Sequence, residues 1–113
     1  MKRIEAVVAT ERIYTLNDAL RKVGVGGMTC FDTRGRGQIP IPQRSAGRAG
    51  LFTPEFNSNC TVVVVVKDGD ADKVIQAILQ GAGTGLAGEG KVFVSKVDDA
   101  VDIGSKKRGE QAL

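Results

Sequence analysis

The sequence predicts an α+β domain whose elements follow in the order β-α-β-β-α-β. Four segments have the alternation or the β-branched composition that is typical of strands. Two further segments have apolar residues at helical spacing, and they follow the first and the third strand. The chain has 113 residues, the length of one domain, so 1–113 is expected to fold as a single unit. Two helices on one face of such a sheet form a ferredoxin-like βαββαβ sandwich, here with a long loop between strands two and three.

The first half of the chain predicts a strand, a helix and a second strand. Residues 2–10 alternate between polar and apolar and form the first strand. The helix has Thr15 or Asn17 as its N-cap and Gly24 at its end, and its apolar stripe comprises Leu16, Ala19, Leu20 and Val23. The second strand covers 28–34 and alternates between two faces, one with Met28, Cys30 and Asp32 and the other with Thr29, Phe31 and Thr33.

The second half predicts the same three kinds of element. Residues 60–67 form the third strand, whose five consecutive valines indicate a central position or burial on both faces. The second helix ends at the glycines of 81–83 and buries a stripe of Ala71, Val74, Ile75, Ile78 and Leu79. Residues 91–96 form the fourth strand, and 97–103 either extend it or form a short extra strand. The charged end, 104–113, is predicted to be mobile.

The segment 35–59 is unusually long for a connection between two paired strands. Loops of this length are more often functional or disordered, and the prolines at 40, 42 and 54 disfavour regular structure. Leu51 and Phe52 are expected to be exposed there, near a cluster of cations that comprises Arg34, Arg36, Arg44 and Arg48. We expect a mobile loop that contacts a partner protein. The alternative is an insertion without a role.

One face of the predicted sheet is left uncovered by the helices. An open face rich in valine and isoleucine favours burial by self-association. An RNA-binding module of the same fold would instead need exposed aromatic residues for base stacking. Only Phe31 and Phe93 lie in predicted strands, so the sequence argues against a nucleic-acid partner.

Composition narrows the chemistry that is available. The net charge is only +3, there is no histidine, and the two cysteines have no partners at metal-ligand spacing. A metal site is therefore not expected, and both thiols are expected to be buried and reduced. The absence of histidine also removes the commonest general base. An enzyme remains as an alternative only through the carboxylates of Asp98, Asp99 and Asp102, which are better explained as a solvated acidic face.

No segment of the sequence is predicted to cross a membrane or to act as a signal peptide. The longest apolar run is Val62–Val66, far short of the ~20 residues that span a bilayer. The N-terminus, MKRIE, lacks the pattern of a signal peptide. These features predict a cytoplasmic protein with no direct membrane insertion.

A glycine-rich loop is the strongest chemical signal in the chain. Residues 84–94 read TGLAGEGKVFV, so three glycines and Lys91 come directly before a strand. Glycine allows a positive φ and a close approach of ligand to backbone, and successive N–H groups form a nest for an anion. This pattern predicts a cradle for phosphate. A plain connection between helix and strand is the alternative interpretation.

Several fragments together resemble the PII signal-transduction proteins over nearly the whole length. They are MKRIEA at 1–6, VGVGGMT at 23–29, GRG at 35–37, the glycine loop above and RGEQAL at 108–113. Glu89 stands where aspartate is usual in that family. The resemblance assigns 35–59 to the T-loop, 83–91 to the B-loop and 102–113 to a C-terminal tail.

The resemblance implies a non-enzymatic homotrimer that binds ADP, AMP or ATP between subunits and signals through its T-loop to a partner protein. It implies no cofactor beyond these regulatory ligands. Gly27, Met28 and Thr29 would line the adenine pocket from the neighbouring subunit. The other implied nucleotide-binding residues are Val7, Gly35, Arg36, Gly37, Gln38, Val65, Gly88, Glu89, Gly90 and Lys91, with Lys106 and Arg108 as compensating cations.

Departures from the family pattern alter what is expected of the ligand. Two arginines that grip terminal phosphates fall at Asp102 and Gly104, so ADP or AMP is expected to bind at least as well as ATP. The glutamine used for 2-oxoglutarate falls at Ile39. The only tyrosine is Tyr14, outside the T-loop, which argues against uridylylation there.

These departures resemble a divergent PII branch that is associated with carboxysomes and responds to bicarbonate. A small anion of this kind is expected at Arg34, Gly35, Arg36 and Gly37, where two guanidinium groups and backbone N–H groups come together in sequence. The alternative is a nitrogen-regulatory PII protein that controls an ammonium transporter or a nitrogen enzyme.

Overall fold

The computed structural model describes residues 1–113 and confirms the α+β fold. The elements are β1 (Lys2–Ala9), α1 (Ile13–Lys22), β2 (Thr29–Gly35), β3 (Arg44–Ser45), β4 (Leu51–Phe52), β5 (Asn57–Val66), α2 (Ala71–Ala82) and β6 (Gly90–Lys96). Four of the strands form an antiparallel sheet in the order β2-β5-β1-β6, and β3 and β4 form a separate two-stranded hairpin.

The core lies between the sheet and the two helices. Ile4, Val62 and Val64 are buried on the helix face of β1 and β5, and Leu16 and Ile78 are buried on the helices. Burial of each such side chain stabilises the fold by about 1.5–3 kcal/mol. The valine-rich strand β5 lies between β2 and β1, which confirms its predicted central position.

The two helices approach closely at Gly81. A Cβ at this position would lie 3.0 Å from the Cβ of Ala19 and 3.2 Å from the Cα of Leu16. The second helix was predicted to end at the glycines of 81–83, and α2 runs to Ala82 with Gly83 as its C-cap, so Gly81 lies in its last turn. The absence of a side chain at 81 therefore serves helix packing.

The first helix ends as predicted but begins earlier than predicted. Gly24 has φ 87°, the N–H of Val25 donates to the carbonyl of Leu20 at 3.0 Å, and that of Gly24 donates to Arg21 at 3.1 Å. These bonds form a Schellman motif. The prediction of Thr15 or Asn17 as the N-cap was wrong. A 3₁₀ turn at Thr10–Arg12 leads directly into α1, without a side-chain cap.

The long segment contains more structure than its prolines suggested. Strand β5 begins at Asn57, three residues before the predicted start, because Asn57 pairs with Gly35 at the end of β2. Arg44 pairs with Phe52 in the small hairpin, and its guanidinium donates to the side-chain oxygen of Asn57 at 3.0 Å. The exposure expected of Leu51 and Phe52 is confirmed.

The C-terminal end is folded against itself. Val101 and Arg108 form an isolated β-bridge, and Gly109–Ala112 is a 3₁₀ turn. Arg108 forms an ion pair with Asp99, and Asp102 accepts hydrogen bonds from the N–H and the hydroxyl of Ser105 at 2.8 and 2.7 Å. No regular strand forms over 97–103.

The second face of the sheet is uncovered in the single chain. Phe31 and Phe93 are 48% and 55% exposed there. Thr61 is the one buried polar residue of this face, and its hydroxyl lies 2.9 Å from that of Thr33. Burial of this face by self-association stays a prediction.

The cysteines lie on neighbouring strands. Both are free thiols, as expected, but only Cys60 is buried, and Cys30 is exposed because β2 is an edge strand. Burial raises the pKa of the Cys60 thiol.

Neither helix is long and apolar enough to cross a membrane.

Candidate functional site

The glycine loop joins the end of α2 to the start of β6. Gly85, Gly88 and Gly90 have φ values of 90°, 84° and 136°, which favour glycine over any residue with a side chain. Gly90 has a second constraint, because a Cβ there would lie 1.9 Å from the carbonyl oxygen of Val7. Part of the glycine pattern is therefore required by the fold itself.

The N–H nest predicted from the sequence forms, and it is occupied by a side chain of the same loop. The carboxylate of Glu89 accepts from the N–H of Thr84 at 2.8 Å, of Gly85 at 3.2 Å and of Leu86 at 3.3 Å, and from the Thr84 hydroxyl. The hydroxyl of Thr84 and these N–H groups hold the pKa of Glu89 below its usual value. The nest therefore stabilises an anion, and in this chain that anion is Glu89.

Lys91 supplies an unpaired positive charge beside this loop. It pairs with Val7 across the β1–β6 ladder, is exposed and forms no ion pair. The N–H groups of residues 87–89 do not donate to the Glu89 carboxylate, and they precede the β1–β6 ladder, which begins at Gly90. They and the Lys91 ammonium are the groups of the loop that an external anion can reach.

The base of the long segment contacts the glycine loop. A Cβ on Gly88 would lie 3.3 Å from Cδ1 of Ile39. Beside this contact is a cavity of about 250 Å³, lined by Arg36, Gly37, Gln38, Ile39, Pro40, Ile41, Pro54 and Glu55. Three predicted site residues, Arg36, Gly37 and Gln38, are thus brought together next to the glycine loop.

The segment expected to line an adenine pocket lies at the far edge of the sheet. Gly27 and Met28 precede β2, and Thr29 begins it, whereas Lys91 lies on β6 at the opposite edge. Three strand spacings of about 4.8 Å separate β2 from β6. One chain therefore does not bring Gly27, Met28 and Thr29 to the glycine loop.

The remaining predicted residues are spread over the same sheet and the C-terminal end. Val7 pairs with Thr61 and Val65 pairs with Arg3, so the two valines share the open face but lie about 13 Å apart along the strands. Arg34 and Gly35 end β2 opposite Ser58 and Asn57. Arg108 is bound to Asp99, and Lys106 occupies a turn with φ 63°.

Two features of the site were missed by sequence reasoning. Glu55 lines the same cavity as Arg36, and its negative charge disfavours the binding of an anion in that cavity. Thr84 binds Glu89 through both its N–H and its hydroxyl. Glu55 is distant in sequence from Arg36, and no local pattern signals it. The pairing of Thr84 with Glu89 was visible in principle as a polar pair that spans the glycine turn.

A groove between the two helices contains none of the predicted site residues. It has a volume of about 540 Å³ and runs between α1 and α2, where Asp18, Lys22 and Lys73 line it.

Comparison with known proteins gives one consistent result. A family model described as nitrogen regulatory protein P-II matches residues 1–107. Nitrogen regulatory protein P-II 2 of Methanothermobacter thermautotrophicus is 35% identical over 114 residues, which cover 100% of this chain and 97% of the relative. The P-II protein of Synechocystis sp. is 32% identical over 113 residues, and the match covers both chains completely.

A solved structure supports the same relationship at the level of the fold. The crystal structure of Arabidopsis thaliana PII bound to citrate matches with a TM-score of 0.81 and 33% identity. The match covers 99% of this chain and 91% of the Arabidopsis chain. The chain therefore belongs to the P-II family of nitrogen regulatory proteins.

Proposed function

We propose that this P-II protein is a non-enzymatic, cytoplasmic regulator that binds adenine nucleotides and signals through 35–59 to a partner protein. The observation that carries the proposal is the close approach of the Ile39 side chain to Gly88, where a Cβ would lie 3.3 Å from Cδ1 of Ile39. Gly88 belongs to the loop that contains the anion nest, and Ile39 belongs to the base of the signalling segment. A ligand that orders the first loop therefore biases the conformation of the second.

The phosphates of the nucleotide are proposed to bind at Gly88, Glu89, Gly90 and Lys91. The backbone N–H groups of this half of the loop are not used by the Glu89 carboxylate, and the Lys91 ammonium has no acidic partner. Charge-assisted hydrogen bonds of this kind are about twice as strong as neutral ones. The citrate-bound structure of Arabidopsis PII supports anion binding by a relative of the same fold.

The complete site is proposed to need a second copy of the chain. Gly27, Met28 and Thr29 lie at the edge of the sheet opposite Lys91, so a neighbouring copy must supply them. The half-exposed side chains of Phe31 and Phe93 on the open face support burial against other copies. A homotrimer accounts for both features.

ADP or AMP is proposed to bind at least as well as ATP. Asp102 stands where the family has a phosphate-binding arginine, and its carboxylate is held by Ser105. Arg108, which we expected to compensate, forms an ion pair with Asp99 instead. Reaching a terminal phosphate would cost Arg108 this ion pair, so Lys106 is the freer of the two cations.

A small anion such as bicarbonate is proposed as a second ligand at Arg34, Gly35, Arg36 and Gly37. Arg34 and Arg36 are exposed and form no ion pair, which favours an anion, whereas Glu55 opposes one. The nitrogen-regulatory names of the relatives favour a second candidate function, control of an ammonium transporter or a nitrogen enzyme. The carboxysome setting has no comparable support.

Calorimetric titration with AMP, ADP and ATP tests the main proposal. We expect micromolar to submillimolar binding of ADP or AMP, and weaker binding in Lys91→Ala. Lys96→Ala is the matched control, because Lys96 is an exposed lysine at the far end of the same strand. Absence of binding by all three nucleotides at millimolar concentration would refute the proposal.

The second ligand and the oligomer are tested on the same protein. Repeating the ADP titration in the presence of bicarbonate should tighten ADP binding if the two ligands are coupled, and an unchanged affinity would remove bicarbonate from the proposal. Light scattering after gel filtration should give three times the chain mass of 11.9 kDa. A monomer that binds ADP with full affinity would contradict the shared site.

A further inference from the structure

The carboxylate of Glu89 is the main constraint on the conformation of the glycine loop. Both of its oxygens are used, because Oε1 and Oε2 each accept from the N–H of Thr84 at 2.8 Å and Oε2 also accepts from Gly85 and Leu86. Apolar packing does not hold this turn, since the side chain of Leu86 is 73% exposed. Order in the loop therefore depends on an internal ion.

We propose that Glu89 is a positioning residue whose carboxylate permanently fills the nest of Thr84, Gly85 and Leu86. In that role it orders the loop before any ligand binds and directs a ligand's phosphate to the N–H groups of 87–89 and to the Lys91 ammonium. The directing role rests on the proposed function, whereas the filling of the nest concerns the ligand-free protein alone.

The Glu89 carboxylate is a stronger occupant of the nest than an anion from solution. An external anion would have to displace a carboxylate that already accepts hydrogen bonds from three N–H groups and a hydroxyl. A tethered carboxylate also has no association entropy to lose, whereas a free phosphate does. The nest therefore favours Glu89 over an ion from solution, and phosphates are confined to the other half of the loop.

The geometry also links Glu89 to the long segment. The hydrogen bonds that Thr84, Gly85 and Leu86 donate to the Glu89 carboxylate close a ring that contains Gly88. Gly88 is the residue that contacts Ile39. If these hydrogen bonds break, Gly88 is no longer held in place. Phosphate binding is then expected to weaken, and the packing of Ile39 against Gly88 is expected to be lost.

Amide hydrogen exchange, measured by NMR on the full chain without ligand, tests whether Glu89 fills the nest. We expect the amides of Thr84, Gly85 and Leu86 to exchange at least ten-fold faster in Glu89→Ala than in the unmodified protein. Glu89→Asp should retain part of the protection. Glu11→Ala is the matched control, because Glu11 is exposed and makes no side-chain hydrogen bond. Equal exchange in Glu89→Ala and the unmodified protein would overturn the proposal.

Titration of the same variants with ADP tests whether Glu89 directs the phosphate of a ligand. We expect the Kd for ADP to rise about ten-fold in Glu89→Ala and to recover partly in Glu89→Asp, with no change in Glu11→Ala. Lost amide protection with unchanged ADP affinity would overturn the positioning role. If the unmodified protein binds no nucleotide, the proposed function and the directing role fail together, and the exchange data still decide whether Glu89 fills the nest.

Discussion

The carbonyl oxygen of Val7 fills the space that a side chain at position 90 would need, since a Cβ on Gly90 would lie only 1.9 Å away. Gly90 begins β6 and pairs with Val8 on β1. The glycine before Lys91 is therefore required for strand pairing, whatever the loop binds. The sequence pattern that suggests a phosphate cradle here therefore combines a structural glycine with a lysine that is proposed to bind phosphate.

Substitution of this glycine should damage the sheet as well as the loop. Gly90→Ala is expected to destabilise the protein by about 3 kcal/mol, because overpacking against a backbone carbonyl adds to an unfavourable φ of 136°. Urea unfolding followed by circular dichroism measures the loss. Gly26→Ala is the control, since no atom lies within 4 Å of a Cβ at that position. Equal stability of both variants would contradict the steric argument.

The sequence predicted the sheet better than it predicted the ends of its elements. The run of valines in β5 indicates a central strand, and in the structure β2 and β1 lie along its two edges. The start of α1 carries no such signal, because a 3₁₀ turn without a capping side chain leads into it. The start of β5 at Asn57 depends on pairing with Gly35, a residue far away in sequence.

The sequence predicted that the glycine loop can hold an anion, but it did not predict the contacts within the loop. Glycines before a lysine indicate an anion nest from local chemistry alone. That Glu89 fills the nest, and that Ile39 touches Gly88, follows only from the path of the folded chain. Glu89 stays a predicted phosphate-binding position, although its carboxylate accepts hydrogen bonds from its own loop.

A second glycine tests the packing of the two helices. Gly81→Ala should gain up to about 1 kcal/mol from helix propensity and lose about 1–3 kcal/mol from overpacking. The loss should prevail, because a Cβ at 81 would lie 3.2 Å from the backbone of Leu16, which cannot rotate away. We expect a lower midpoint of urea unfolding. Partial recovery in Gly81→Ala combined with Ala19→Gly would identify the contact at 3.0 Å as a contributor, and no recovery would assign the loss to Leu16.

The ion pair of the C-terminal end should make stability depend on pH. The hydrogen bond from Arg108 is the main cause that holds the pKa of Asp99 below its usual value of 3.8. A carboxyl whose pKa is lower in the folded state contributes stability above its unfolded pKa and loses it as the pH falls through its folded pKa. Asp99→Asn should therefore destabilise the protein at pH 7 and have no effect well below pH 3.8.

Urea unfolding of Asp99→Asn and the unmodified protein at pH 7, 5 and 2.5 measures this dependence. Asp98→Asn is the matched control, because Asp98 is an exposed neighbour without a hydrogen bond or an ion pair. A stability difference for Asp99→Asn that stays constant across all three pH values would show that the ion pair contributes nothing through its charge.

The identity of residue 102 should set the preference between ATP and ADP. Asp102→Arg replaces an acid with the cation that the family resemblance places here, and its only local cost is the pair of hydrogen bonds from Ser105. We expect the affinity for ATP to rise about ten-fold relative to ADP, which corresponds to about 1.4 kcal/mol. Calorimetry at one fixed ionic strength measures the ratio, because salt screens exposed charges. Asp98→Arg changes the net charge by the same amount four residues earlier. An equal rise in ATP affinity in both variants would attribute the effect to overall charge and would remove position 102 from the phosphate site.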